Sequence, residues 1–223
     1  MSPTVDALLP LSLLEAVRNV DTPQGDLEAE FVPELRNKRF GLSDTVYAQI
    51  RRYTDAVRRS HRVGVDEVTA LARLIGRRPD AEAVFRAAGR HLAGQAYRTI
   101  SPVTRRLLLV LPSMLARPMA LRHARRIAHR YLDARVSRQG ASVLLEVKRS
   151  MTIESAPRSV GCAYYEAGLR ELLRLLVNAV GAVEHVSCRA RGESICAWRA
   201  DWRSSAPFVE RESPSVEGSA LIG

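Results

Sequence analysis

An α+β fold, with N-terminal helices packed on an antiparallel sheet built from two hairpins flanking one amphipathic helix, is predicted by three observations. Apolar residues recur at helical spacing from Leu8 to about Tyr131. At about Leu132 the period changes to strict alternation, and alternation returns beyond Ala182. Between the two alternating stretches lies a single segment, Ala163 to Val180, with a continuous leucine stripe on one side. A period near 3.6 marks helices and a period of 2 marks half-buried strands, so the order is helices first, then hairpin, helix, hairpin.

The elements follow in order. A short helix is expected around Leu8 to Val20, followed by an irregular arm containing Pro23 and Pro33. Ser43 can cap a helix with Val46, Ile50, Tyr53 and Val57 on one face. Asp66 opens the next, with Val68, Leu71, Ala72 and Ile75 inward and Gly76 as its stop. Asp80 caps a third, carrying Val84, Ala88 and Leu92. Pro102, Pro112 and Pro118 punctuate two more, the last with Leu121, Ala124, Ala128 and Tyr131 at helical spacing. Leu132, Ala134 and Val136, a turn at Arg138-Gln139-Gly140, and Val143, Leu145 and Val147 read as a hairpin. Residues 153–160, containing Pro157, form a loop. In the helix Ala163–Val180, Leu169, Leu172, Leu173, Leu176, Val177 and Val180 are the buried stripe, and Arg170, Glu171, Arg174 and Asn178 face water. Ala182–Ala190 and Ile195–Trp202 form the second hairpin around Arg191-Gly192-Glu193-Ser194. In domain terms, residues 1–40 are a helix and arm and 41–203 one α+β domain, with a cysteine-bearing subregion at 160–203. Residues 204–223, rich in Ser, Pro, Gly and Glu, are expected to be a disordered tail.

The chain has 223 residues, 46% of them apolar, enough for one sizeable core. Its most apolar short run, Leu107 to Leu115, is broken by Pro112 and flanked by Arg105, Arg106 and Arg117, too short and too charged to span a bilayer. The N-terminus carries Asp6 and Glu15 and no basic leader, so a cytoplasmic location is expected. The formal charge is +10, carried almost wholly by arginine, since Lys38 and Lys148 are the only lysines. Such a balance can attract nucleic acid or anionic lipid, but arginines spread over solvated helix faces are the plainer account. Neither a Gly-rich phosphate loop nor a GxSxG or HExxH pattern is present, so no enzyme constellation stands out. His91 lies on a helix near Ala88, where a solvated or satisfied histidine is the simpler reading. His123 and His129 lie among Arg122, Arg125, Arg126 and Arg130.

The informative residues are three cysteines. Cys188 and Cys196 are equidistant from Gly192, so a symmetric hairpin sets them opposite each other, with Cβ atoms about 5 Å apart. Cys162 precedes the helix that returns the chain to this hairpin, and a thiol at a helix N-terminus is biased toward the thiolate that metals bind. An odd count in a reducing compartment argues against disulfide staples. Ordinary core packing, or a Cys188–Cys196 cross-strand disulfide in an oxidising setting, remain the alternatives to a zinc site. For a fourth ligand, His185 and Glu184 compete. His185 has the better donor chemistry. A regular strand would place Glu184 on the face of Cys188 and His185 opposite, unless a bulge near Val186 brings His185 round.

The arrangement Cys162-x25-Cys188-x7-Cys196 with Gly192 between the last two resembles the 4-vinyl reductase (hydrocarbon-binding) domain family. The local text "GCAYYEAGLRELLRLLVNAVG" followed by "VEHVSCRARGESICAWRADW" is similar too, and the match covers Cys162 to Trp202, with weaker support back to about Phe85. The family occurs in bacterial bacteriochlorophyll-pathway proteins, in stand-alone proteins presumed to bind hydrocarbons, and in aromatic-sensing regions of enhancer-dependent activators. The resemblance implies a structural zinc held by the three cysteines and a fourth ligand. In the sensors that ligand is a glutamate three residues before the second cysteine, where this chain has His185. It also implies an apolar or aromatic ligand, or a tetrapyrrole, entering between helices and sheet. Met114, Leu121, Leu144, Tyr164 and Tyr165 are the candidate wall, although each fits ordinary core equally well. Of the adjacent tyrosines, one is expected inside and the other at solvent. Trp198 and Trp202, on the strand face of Cys196, are expected to shield the metal or cover the sheet.

The leading expectation is therefore a non-enzymatic binding or sensing domain with a structural zinc, signalling through a homodimer of its early helices or a separate partner. The alternatives are an accessory role in porphyrin vinyl reduction, for which no hydride-cofactor site is visible, and an arginine-rich adaptor or nucleic-acid-binding protein.

Overall fold

The computed structural model describes residues 3–21, 44–153 and 159–202. The expected irregular arm, the Ser43 cap, most of the proline-containing loop and the tail at 204–223 lie outside these residues. The elements run β1 (Thr4–Asp6), α1 (Leu8–Asp21), α2 (Asp44–Arg58), β2 (Arg62–Gly64), α3 (Val65–Gly76), α4 (Ala81–Arg98), α5 (Pro102–Val110), α6 (Ser113–Leu132), β3 (Ala134–Gln139), β4 (Ser142–Val147), α7 (Cys162–Val177), β5 (Val183–Ser187) and β6 (Cys196–Asp201). Apart from the short strands β1 and β2, which the periodicity does not predict, this is the expected order of helices, hairpin, helix, hairpin.

Two antiparallel sheets form among the described residues. A small one pairs β1 with β2, and the main one has the order β3-β4-β6-β5. The two hairpins are thus joined through β4 and β6, with Val147 opposite Cys196 and Leu145 opposite Trp198. Alternation sends Val136, Val143, Leu145, Val147, Trp198 and Ala200 inward, where all are buried. Arg135, Glu184 and Arg199 lie on the outer, solvent side.

Helix α7 fills the inner face of the sheet and packs along α4. The contact is close because glycines meet there. A Cβ on Gly89 would lie 2.1 Å from the Tyr164 carbonyl oxygen, and one on Gly168 would lie 3.4 Å from the Gly89 carbonyl oxygen. Leu169, Leu172, Leu173 and Leu176 are buried, each stabilising by about 2 kcal/mol on the scale of buried apolar area. Helix α1 shares this one core, with Leu9 and Leu13 among its most enclosed side chains. The boundary expected at residue 40 therefore does not mark off α1 as peripheral.

Several local expectations are corrected. Helix α7 stops at Val177, because Asn178 adopts a left-handed conformation and closes it, so Val180 leaves the stripe and is exposed. Arg138 and Gln139 belong to β3, and the turn is only Gly140-Ala141, with Gly140 at φ 58°. Asp80 does precede α4, but its carboxylate takes the Arg78 guanidinium at 2.8 Å instead of a helix N–H. Pro118 lies inside α6, within its first two turns, and does not delimit it. The second hairpin has shorter strands than expected, since a 3-10 turn, Arg189–Arg191, follows Cys188.

Candidate metal centre

Four side chains converge where α7 begins and the β5–β6 hairpin closes. The donor atoms of Cys162, His185, Cys188 and Cys196 all lie within 4.8 Å of one another, and the three cysteines are buried. Each arrives by a separate local device. Gly161, just before α7, lies against Thr152, whose hydroxyl donates to the Gly161 carbonyl at 2.6 Å. A Cβ on Gly161 would stand 1.9 Å from the Thr152 carbonyl oxygen, so only glycine lets the chain reach Cys162 by this route. Cys188 and Cys196 follow the predicted symmetry: Ser187 pairs with Ala197, which puts them in facing register. Gly192, at φ 92°, supplies the left-handed residue that lets the short turn close.

His185 is brought in by a bulge. Its partner is Trp198, one register step away from the Ser187–Ala197 pair, so the extra residue Val186 breaks the alternation. The imidazole then stacks flat on Trp198, with ring centres 4.7 Å apart and planes 6° from parallel. Trp198 stacks in turn on Tyr165 at 5.2 Å. The indole thereby fixes the imidazole plane. Glu184 remains on the outer face, 2.7 Å from Arg199, and does not join the group.

The cysteines are free thiols, so the cross-strand disulfide is not formed. Cys162 and Cys188 Sγ are 3.8 Å apart. Two thiolates at about 2.3 Å from a tetrahedral metal would stand roughly 3.8 Å apart, so this spacing suits an ion and not an S–S bond. His185 Nε2 is buried and has no hydrogen-bond partner among the described residues, and one of the two ring nitrogens is a donor of the cluster. The Arg189 N–H donates to Cys196 Sγ at 3.2 Å, and the Cys188 N–H donates to the Glu193 carboxylate. Without metal, the hydrogen bond from the Cys162 thiol holds Cys196 down to about 6 against the opposing effect of burial, with help from the Arg189 N–H and His185. The same bond and burial push Cys162 up. A cluster with one thiolate already favoured and donors at metal spacing can hold a metal ion.

Beside the centre lies a cleft of about 720 Å³. Cys162, His185 and Cys188 form part of its wall, with Arg78, Arg86, Arg191, Glu82 and Glu166 around them and Pro79, Val160 and Ala163 as its apolar lining. Arg86 bridges α4 to α7 through Glu82 and Glu166, both at 2.9 Å. Arg78 is held by Asp80 and Asp21.

None of the five predicted wall residues lines this cleft. Tyr164 and Tyr165 are both fully buried, because α7 is enclosed on both sides at its first turn, by α1 and α4 around Tyr164 and by Trp198 of the sheet against Tyr165. The Tyr164 hydroxyl meets the Ser12 hydroxyl at 3.3 Å. Leu121 is core, Met114 is 86% exposed, and Leu144 is half-buried on the outer face of the sheet. The sequence reading missed the cleft arginines and Glu193. The proximity of Arg78 and Arg86 to Cys162 depends on helix packing, whereas an acid directly after Gly192 was a readable cue. His91 is half-buried, and burial holds it below its ordinary value; it is not part of the cluster.

A scan against protein-family models gives no match, and a search of curated proteins finds none either. No helix among the described residues is long and apolar enough to cross a membrane.

Proposed function

We propose that this chain is a non-enzymatic small-molecule-binding or sensing domain of the 4-vinyl reductase kind, held in shape by a structural zinc. The observation that carries the reading is the four-donor cluster, in which three thiols and an imidazole nitrogen lie within 4.8 Å of one another. Soft thiolates with one imidazole favour zinc among the common divalent metals. Three thiolates and His185 would fill a tetrahedral ion, leaving no open position for substrate or water, so the ion would act as a staple and not as a Lewis acid. It would tie the start of α7 to the bulge, the turn and the first residue of β6.

The cleft beside the centre lies in the size range of small-molecule sites. Its wall mixes Pro79, Val160 and Ala163 with Arg78, Arg86, Arg191, Glu82 and Glu166, and the three arginines favour a ligand with an apolar body and anionic groups, such as a carboxylate-bearing tetrapyrrole, over a plain hydrocarbon.

Two measurements test the reading. Elemental analysis of the purified protein should give one zinc per chain, and Cys188→Ser should lose it. Titration with protoporphyrin should saturate at one per chain and weaken about tenfold or more in Arg86→Gln. Metal-free, fully folded protein that binds no porphyrin would refute the proposal.

A further inference from the structure

The stretch from residue 83 to residue 132 contains ten arginines and no aspartate or glutamate. It includes α5 and α6, which meet at the turn around Leu111-Pro112. The same turn is where the protein exposes aliphatic side chains most densely. Leu109, Val110, Met114 and Leu115 are all well exposed, Val110 at 83% and Met114 at 86%, and Val103 at 75% extends the patch along α5. On α5 the single deeply buried residue is Leu108, and helical geometry sets Val103, Arg106 and Val110 on the opposite, outward side. On α6 a stripe at four-residue spacing runs Met114, Pro118, Arg122, Arg126, all exposed. The tip is therefore apolar and the adjoining helix face cationic.

The arginines differ in what holds them. Arg125 donates to the Val136 carbonyl and Arg130 pairs with Asp6, so these two serve the fold. Arg106, Arg122 and Arg126 have no ion pair among the described residues and point to solvent. The positive field they create is felt locally. His123 is held below its ordinary value, first by burial and then by Arg126 and Arg122.

We propose that the α5–α6 turn is a peripheral membrane-docking surface, in which Val110, Met114 and their neighbours enter the headgroup boundary of an anionic lipid bilayer while Arg106, Arg122 and Arg126 engage its phosphates. Three physical points favour this occupant. An exposed aliphatic cluster rimmed by cations matches the two components of interfacial binding, shallow apolar insertion and attraction to anionic headgroups. A nucleic-acid backbone would use the arginines but would leave Val110 and Met114 with nothing to bury against. A second copy docked on the same face would bring two sets of unpaired arginines together. The insertion is peripheral, since α5 has 9 residues and α6 carries five arginines.

The test is co-sedimentation of the full chain with vesicles of phosphatidylcholine alone or mixed with phosphatidylglycerol, at low and moderate salt. Wild-type protein should bind the mixed vesicles at least about tenfold more tightly than the neutral ones, and less so as salt rises. Each arginine at an anionic surface is worth about fivefold, so Arg122→Gln with Arg126→Gln should weaken binding about 30-fold. Val110→Asp with Met114→Asp should weaken it about tenfold or more, with circular dichroism and metal content unchanged. Equal binding to both vesicle types, no binding to either, or full binding by the Asp double variant would overturn the proposal. So would tighter binding to duplex DNA than to anionic vesicles, or a wild-type dimer that the Asp double variant splits.

Discussion

Removing the metal from the Cys162–His185–Cys188–Cys196 centre should lower the melting temperature by a calculable amount. The four donors come from positions spread over residues 162–196 and converge only through the α7 entry, the Val186 bulge and the Gly192 turn. An unfolded chain lacks that convergence, so an ion held there would bind the native state almost alone and stabilise it by mass action. At free zinc a hundred to a thousand times above the dissociation constant, the gain is about 2.7 to 4.1 kcal/mol. A domain of this size shifts by about 2 to 4 °C per kcal/mol, so the expected loss on chelation is roughly 5 to 16 °C. The assay is differential scanning calorimetry of the zinc-loaded protein with and without a strong chelator, repeated on Cys188→Ser. The variant should melt near the chelated wild type and ignore the chelator. A wild type that retains its melting temperature under chelation, with no metal by elemental analysis, would show that the three thiols are simply core.

Three further outcomes are expected. His185→Ala should weaken metal binding by more than about tenfold while Glu184→Gln leaves it unchanged, as read by competition with a chromophoric chelator, because only His185 shares the cluster. Gly89→Ala should cost about 3 kcal/mol in urea unfolding, since its methyl would meet the Tyr164 backbone at 2.1 Å, whereas Gly168→Ala, at 3.4 Å, should cost under about 1 kcal/mol. The hydrogen bond from Arg78 holds Asp80 below its ordinary carboxylate value. A depressed carboxylate contributes stability above its unfolded value, and that contribution is lost as pH falls through the folded one. Thermal melts between pH 5 and about 3 should therefore fall more gently in Asp80→Asn than in wild type.

The order of elements was legible in the residues because burial imposes a period. The leucine stripe of α7, the alternation of Val143, Leu145 and Val147, and the symmetry of Cys188 and Cys196 about Gly192 are local patterns, and local patterns survive without tertiary knowledge. Even the bulge that would free His185 could be named in advance, because strand geometry left no other way for that side chain to reach the cysteines. Whether it formed was decided by packing: Trp198 offers the imidazole a flat face, and Arg199 draws Glu184 to the opposite side. The five candidate wall residues lie away from the cleft for the same kind of reason. Tyr164, Leu121, Leu144 and Met114 look alike as apolar positions on their elements. Only the close Gly89–Gly168 packing, the inward face of the sheet and the exposed α5–α6 turn sort them into core, outer face and tip. The chain alone thus determined which residues could form helices, strands and a thiol cluster, since those depend on neighbours in sequence. Tertiary structure decided which of His185 and Glu184 joins the cysteines, the polar cleft and the exposed apolar turn, since each depends on groups brought together from distant parts of the chain.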